Sequence, residues 1–151
     1  MVKDHSDDKM YLIDTNIISY LINKKVPYFN VIKQHMLAVE TNQLYISTLS
    51  IHELYAGHAR IRDVDALYKE RIKAAIDNLI ATLTILEYNG LKTAQCSGEI
   101  MGKLIKTGAP IQAIDTMLAG QAMMENLILI TNDQHFDRIE GLVTKNWCRH
   151  P

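Results

Sequence analysis

Leu127-Ile128-Leu129-Ile130-Thr131 is an apolar run without a polar face. A strand of that kind must be covered on both sides, as the strands of parallel α/β sheets are. Three shorter runs repeat the theme: Met10-Tyr11-Leu12-Ile13, Leu44-Tyr45-Ile46-Ser47 and Thr84-Ile85-Leu86. The stretches between them carry apolar residues at helical spacing. Thr15-Asn16 can cap a helix through Ile17, Ile18, Tyr20 and Leu21 towards Lys24-Lys25, and Pro27 suits the first turn of a second helix bearing Val31, Ile32, His35 and Val39. Further helices are predicted from Ser50 to Ala59, from Asp63 to Thr82, from Leu91 to Lys106 with a stop at Gly108, and from Pro110 through Ile111 to Glu125. The helix from Asp63 shows Val64, Leu67, Tyr68, Ala75, Ile76, Leu79 and Leu83 at the 3.6 period. A helical turn at Gln134 to Phe136 and an extended Leu142-Val143 close the pattern. Strands alternating with helices predict an α/β fold, a three-layer α/β/α sandwich with a mostly parallel central sheet.

The 151 residues suit one domain, predicted over 10–151, behind a polar and disordered lead at 1–9. Sixteen Lys+Arg against seventeen Asp+Glu leave a net charge of −1, which argues against holding nucleic acid by bulk positive charge but not against holding a few phosphates through a local basic rim or a metal. Cys96 and Cys148 form no disulfide framework, and neither has a Cys or His at zinc-ligand spacing. No run is long and apolar enough for a membrane span, and the first ten residues lack the apolar centre of a signal peptide. The expected location is the cytoplasm, without a membrane partner.

In open parallel sheets, ligands collect beyond the carboxyl ends of the strands. Asp14 ends the first strand and Asp133 follows the Leu127–Thr131 strand. Asp115 lies among Ile111, Ile114, Leu118 and Ala122, in what the pattern reads as the second turn of its helix. Glu53 has only small residues, Ala56 and Gly57, one turn on. Each acid also has a plain structural explanation. Asp14 serves equally well as a helix cap, Asp133 as a turn or cap residue, and Ser50-Ile51-His52-Glu53 fits a capping box. Asp115 alone sits too deep for capping. Gathered at one edge, four carboxylates repelling at roughly 3 kcal/mol per pair near 5 Å would need protons or a divalent cation. An all-oxygen site favours Mg²⁺ or Mn²⁺ over zinc. A metal-free acid–base site built on histidines has weak support, because His52 and His58 are six residues apart and face different ways on a helix.

Tyr11-Leu12-Ile13-Asp14-Thr15-Asn16 resembles the opening of PIN-domain ribonucleases, in particular the VapC toxins of type II toxin–antitoxin systems. Ile46-Ser47-Thr48 leading to Glu53-Leu54-Tyr55-Ala56-Gly57, the segment Ile114-Asp115-Thr116 to Ala122, and Thr131-Asn132-Asp133-Gln134-His135-Phe136 are similar to the family's later motifs, in family order. The resemblance implies a PIN-like nuclease domain and a Mg²⁺- or Mn²⁺-dependent endoribonuclease cutting tRNA- or rRNA-class RNA with a metal-activated water. It implies that Asp14 and Asp115 ligate the metal, that Glu53 and Asp133 hold its waters or a second ion, and that Thr131 and Asn16 support the carboxylates. It further implies a homodimer and a VapB-like antitoxin partner. Two other classes remain at this stage: a metal-dependent phosphohydrolase of a small phosphate ester, and a catalytically silent PIN-like binding module. Lys24, Lys25, Arg60, Arg62, Lys103 and Lys106 are candidates for a basic rim, with solvated surface as the simpler reading of each. Setting the four acids aside leaves a formal +3, a mildly basic exterior. Asp137, one helical turn beyond Asp133, could extend the acidic site but is more simply a solvated or paired acid.

Overall fold

Tyr11 and Ile13 turn to one face of the sheet and Leu12 to the other, and this alternation sorts two separate cores. The computed structural model describes residues 9–150. Its strands are β1 (Tyr11–Ile13), β2 (Leu44–Ser47), β3 (Thr84–Leu86), β4 (Ile128–Ile130) and β5 (Thr144–Lys145). Its helices are α1 (Thr15–Ile22), α2 (Tyr28–Leu37), α3 (Thr48–Ala59), α4 (Ala66–Thr82), α5 (Leu91–Lys106) and α6 (Ala113–Met124). Residues 1–8 of the expected N-terminal lead lie outside the described residues. Among those described, no helix is long and apolar enough to cross a membrane.

The five strands run in the order β3-β2-β1-β4-β5, and every pairing is parallel. Ile17, Ile18, Ile32, Ile72 and Ile76 from α1, α2 and α4 cover the Tyr11/Ile13 face, while Ile100, Leu104, Leu118, Ala119 and Ala122 from α5 and α6 cover the Leu12/Leu129 face. The three-layer reading therefore holds, and the sheet is parallel throughout. The chain adds β2 and β3 on one side of β1, then returns to add β4 on the other. The topological switch falls between β1 and β4, where parallel sheets open a crevice beyond their carboxyl ends. α5 and α6 approach closely at Gly120, where a Cβ would lie 2.8 Å from the Ser97 side chain and 2.9 Å from its backbone. That contact positions α6 on the sheet.

Several element boundaries differ from the sequence pattern, each for a local reason. Residues 63–65 form a 3₁₀ turn before α4, so Val64 and Leu67 drop out of the stripe and are 81% and 84% exposed; Ile72, Ile76 and Leu83 do the burying. Helix α3 starts at Thr48, capped by Ser47, whose hydroxyl accepts from the Leu49 amide at 3.1 Å. Helix α6 starts at Ala113, because Pro110–Gln112 runs extended and the Gln112 carbonyl receives the first helical bonds from Asp115 and Thr116. Gly108, at φ +72°, ends α5 as expected. The last strand is Thr144–Lys145, just beyond the predicted Leu142-Val143, since Leu129 and Thr131 pair through the carbonyls of Val143 and Lys145.

Candidate active site

Asp14 sits where β1 turns directly into α1. Its amide still pairs with the Ile130 carbonyl at 2.9 Å, while its own carbonyl accepts the first helical bond from Ile18. It holds the N-cap position, yet its carboxylate does not cap the helix in the ordinary way. It accepts instead from the Thr131 hydroxyl at 2.8 Å and from the Thr15 amide. The Asp133 amide in turn donates to the Thr131 oxygen at 3.0 Å, so one threonine ties two of the four acids together across the switch point.

Asp14, Glu53, Asp115 and Asp133 line one cleft of about 560 Å³ with Thr15, Asn16, Pro110–Gln112 and His135. Burial pushes the Asp14 carboxyl up to about 7 against the Thr131 bond, and the charges of Asp115 and Glu53 add to the rise. Burial raises Asp115 to about 6, with Glu53 and Asp133 reinforcing the shift and His135 opposing it. These are the couplings expected of four carboxylates sharing a hollow.

The plain readings fare unevenly. The capping box at Ser50–Glu53 does not form, because α3 begins at Thr48 and is capped by Ser47; Glu53 lies well inside the helix and accepts a hydrogen bond from the Thr15 hydroxyl. Asp133 does cap: its carboxylate accepts from the His135 amide at 2.9 Å and opens the 3₁₀ turn Gln134–Arg138. Asp115 lies in the first turn of α6, one turn earlier than the pattern implied. Asn16 is exposed and lines the cleft. Asp137 is exposed and borders a different polar hollow with Lys145 and Arg149.

Five lining residues were not among the expected site residues: Pro110, Ile111, Gln112, Thr15 and His135. Thr15 orients Glu53, and its position directly after Asp14 was the available signal. His135 enters the cleft with Nδ1 3.3 Å from an Asp133 oxygen. Of the expected basic rim, none lines this cleft among the described residues. Arg60 borders an adjoining chamber, Lys103 and Lys106 line a separate hollow with Arg138, and Arg62 pairs with Asp65 at 3.2 Å.

The donor set is hard and anionic, which suits an Mg²⁺-like cation. Among the described residues, no three His, Cys, Asp or Glu side chains converge tightly enough to ligate one ion together. That spacing fits an ion held by one or two carboxylates that keeps part of its water shell, the usual habit of Mg²⁺.

An all-parallel fold with this site defines the class. The PIN domain family model matches residues 11–142. The chain is 32% identical to ribonuclease VapC2 of Haemophilus influenzae, over 91% of this chain and 97% of the relative. It is 28% identical to the tRNA(fMet)-specific endonuclease VapC of Salmonella typhimurium, over 91% and 98%. The crystal structure of VapBC2 from Rickettsia felis bound to a promoter DNA fragment superposes with a TM-score of 0.75 at 29% identity, covering 91% of this chain and 98% of that one. The chain belongs to the VapC ribonucleases of the PIN-domain family. Divalent-metal dependence is general to PIN-domain nucleases.

Thr131→Val tests the tie between β4 and Asp14. It keeps the shape and removes the hydroxyl, so RNA cleavage is expected to fall about 10–100-fold, the usual loss on removing a partner that orients a metal-binding carboxylate. A steady-state rate equal to wild type would reduce Thr131 to a strand-end contact.

Proposed function

We propose that this chain is the toxin of a toxin–antitoxin pair, an endoribonuclease whose Asp14, Glu53, Asp115 and Asp133 work with Mg²⁺ or Mn²⁺ to hydrolyse phosphodiester bonds in tRNA-class RNA. The observation that carries this reading is the meeting of four carboxylates from separate elements in one cleft at the β1/β4 switch point. A bound divalent cation would supply a more acidic water and offset charge on the phosphoryl oxygens.

The chain's own residues supply orientation and proton handling. Thr131 holds Asp14, Thr15 holds Glu53, and the His135 amide holds Asp133. Fixed carboxylates avoid reordering when substrate arrives. In the metal-free protein, burial and the neighbouring acids hold the Asp14 carboxyl up at about 7, so a cation binding there would take the place of a proton near neutral pH. Thr131 and Asn16 support the acids from outside the metal's immediate ligands.

tRNA is favoured as substrate because the Salmonella typhimurium relative is named for tRNA(fMet). A VapB-like antitoxin is the proposed partner, since three of the similar solved structures are VapBC complexes from Rickettsia felis, Salmonella typhimurium and Haemophilus influenzae, the first two bound to DNA. We place the working enzyme in the cytoplasm as a homodimer.

The test is cleavage of purified tRNA, rRNA and unstructured RNA in Mg²⁺, in Mn²⁺ and in EDTA. Cuts in tRNA that depend on either ion and vanish in EDTA are expected. Cleavage that survives chelation would overturn the metal-assisted mechanism, and turnover of a small phosphate ester but not RNA would overturn the ribonuclease reading.

A further inference from the structure

The cleft shares two of its lining residues with a neighbouring hollow. Thr15 and Glu53 also wall a second chamber of about 340 Å³ between α1, α3 and α4. Its size falls within the range of small-molecule pockets, roughly 300–1,000 Å³. The floor is apolar, built from buried residues such as Ile72 and Ile76, and the rim is polar. Glu53 is the one carboxylate among the residues lining it.

The rim groups are held in defined states. The Tyr68 hydroxyl donates to Asn23 Oδ1 at 3.0 Å, and Asn23 Nδ2 donates to the Ser19 carbonyl at 2.9 Å. The amide is thereby fixed, with one N–H and one lone pair left over. His58 Nε2 donates to the Lys69 carbonyl at 3.2 Å, which leaves Nδ1 outside that bond. Arg60 forms no ion pair among the described residues.

Gly57 supplies an independent observation. It lies inside α3 and lines the chamber, and a Cβ built there meets nothing within 4 Å. Glycine weakens a helix interior. Packing within the chain gives no reason for it at this position, whereas a ligand in the chamber would.

We infer that this chamber receives the nucleotide adjoining the scissile phosphate, with its base over the apolar floor beside Tyr68, its edge read by Asn23 and His58, and its backbone met by Arg60. The inference rests on the ribonuclease reading above. Unstacked bases of single-stranded RNA are recognised by just such combinations of an aromatic ring, edge hydrogen bonds and a guanidinium. Arg60 would meet a basic peptide segment as a like charge and an RNA phosphate as an opposite one, while Glu53 stands where the chamber adjoins the cleft.

The experiment uses the full chain on a randomised single-stranded RNA with Mn²⁺, reading kcat, KM and the base preference beside the cut by sequencing fragment ends. Gly57→Ala, which removes a helix-interior glycine and adds one methyl to the chamber wall, should melt higher and raise KM by less than Gly57→Leu does. Gly57→Leu should fill the chamber, raise KM about tenfold or more and flatten the base preference, with kcat changed far less. Tyr68→Ala should act in the same direction, and it decides the matter if Gly57→Leu fails to fold. Wild-type KM and base preference in a folded Gly57→Leu would overturn the inference. So would a loss confined to binding of a VapB-like antitoxin, which would make the chamber a protein seat. Absence of metal-dependent cleavage by the wild-type chain would overturn the ribonuclease reading as well, a result visible before any variant is compared.

Discussion

Asp115→Asn is expected to lose RNA cleavage by about 10²–10⁴-fold while raising the melting temperature of the metal-free protein. The two effects have one origin. Asp115 is half-buried, and its carboxyl is driven up to about 6 by burial and by the charges of Glu53 and Asp133. Replacing it with an amide keeps the shape and removes those repulsions. A pair of charges near 5 Å costs roughly 3 kcal/mol at an effective dielectric of 20 before solvent screening. With the group half-exposed, a net gain of about 1–2 kcal/mol remains, or roughly 2–8 °C for a domain this size. Activity moves the other way, because the cleft loses a carboxylate proposed to hold the cation. Calorimetry in chelator and a cleavage assay in Mg²⁺ measure the two together. A variant that both melts lower and fails to cleave would make Asp115 a structural residue. One that still cleaves would remove it from the site.

The second large effect is on stability against pH. In chelator, the melting temperature is expected to fall as pH rises from about 4 to about 7, and Mg²⁺ should restore it most at pH 7 and above. Folded Asp14 keeps its proton up to about 7, whereas the unfolded carboxyl releases it near 3.8. Across that window the folded chain binds more protons than the unfolded one, so stability declines with rising pH. For Asp14 the full cost is on the order of 4 kcal/mol, complete above pH 7. Asp115 adds in the same direction between 3.8 and about 6, by a smaller amount because solvent reaches it. A cation that binds only the folded chain offsets the loss, by about 2.7 kcal/mol at a hundred times its Kd. Asp14→Asn should flatten the pH dependence and weaken the Mg²⁺ response. A melting temperature in chelator that climbs between pH 4 and 7, or one indifferent to Mg²⁺ at pH 8, would refute the shared acidic cluster.

Much of the site was legible because its signals are local. A strand that ends in Asp14, a strand followed by Thr131-x-Asp133, and an acid beside apolar helix positions are all patterns within a few residues. Thr131 was expected to support a carboxylate, with no particular one named; its hydroxyl donates to Asp14 at 2.8 Å. Glu53 was harder. Its local pattern suggested a capping box, which fails because Ser47, at the buried end of β2, takes the cap three residues earlier. Asp115 was expected deeper in its helix, because the helix starts only at Ala113, after an extended Gln112 that no short-range pattern marks. Val64 and Leu67 kept the helical period yet lie outside the core, because the preceding 3₁₀ turn changes which face is inward. The basic residues of the expected rim gave no signal of where they would go.

By itself, the sequence determined the alternation of strands and helices, the parallel α/β class and the acids standing at strand ends, because period, capping and chain punctuation act over a few residues. The tertiary structure decided which of these acids share a cleft. Strand order puts β1 beside β4, so Asp14 meets Thr131 and the Asp133 turn; the packing of α3 and α6 around that point brings in Glu53 and Asp115. It also decided that a second chamber, beside Gly57, shares Thr15 and Glu53 with the cleft. Burial and mutual repulsion arise only between groups brought together from distant parts of the chain, and they are what raise Asp14 and Asp115.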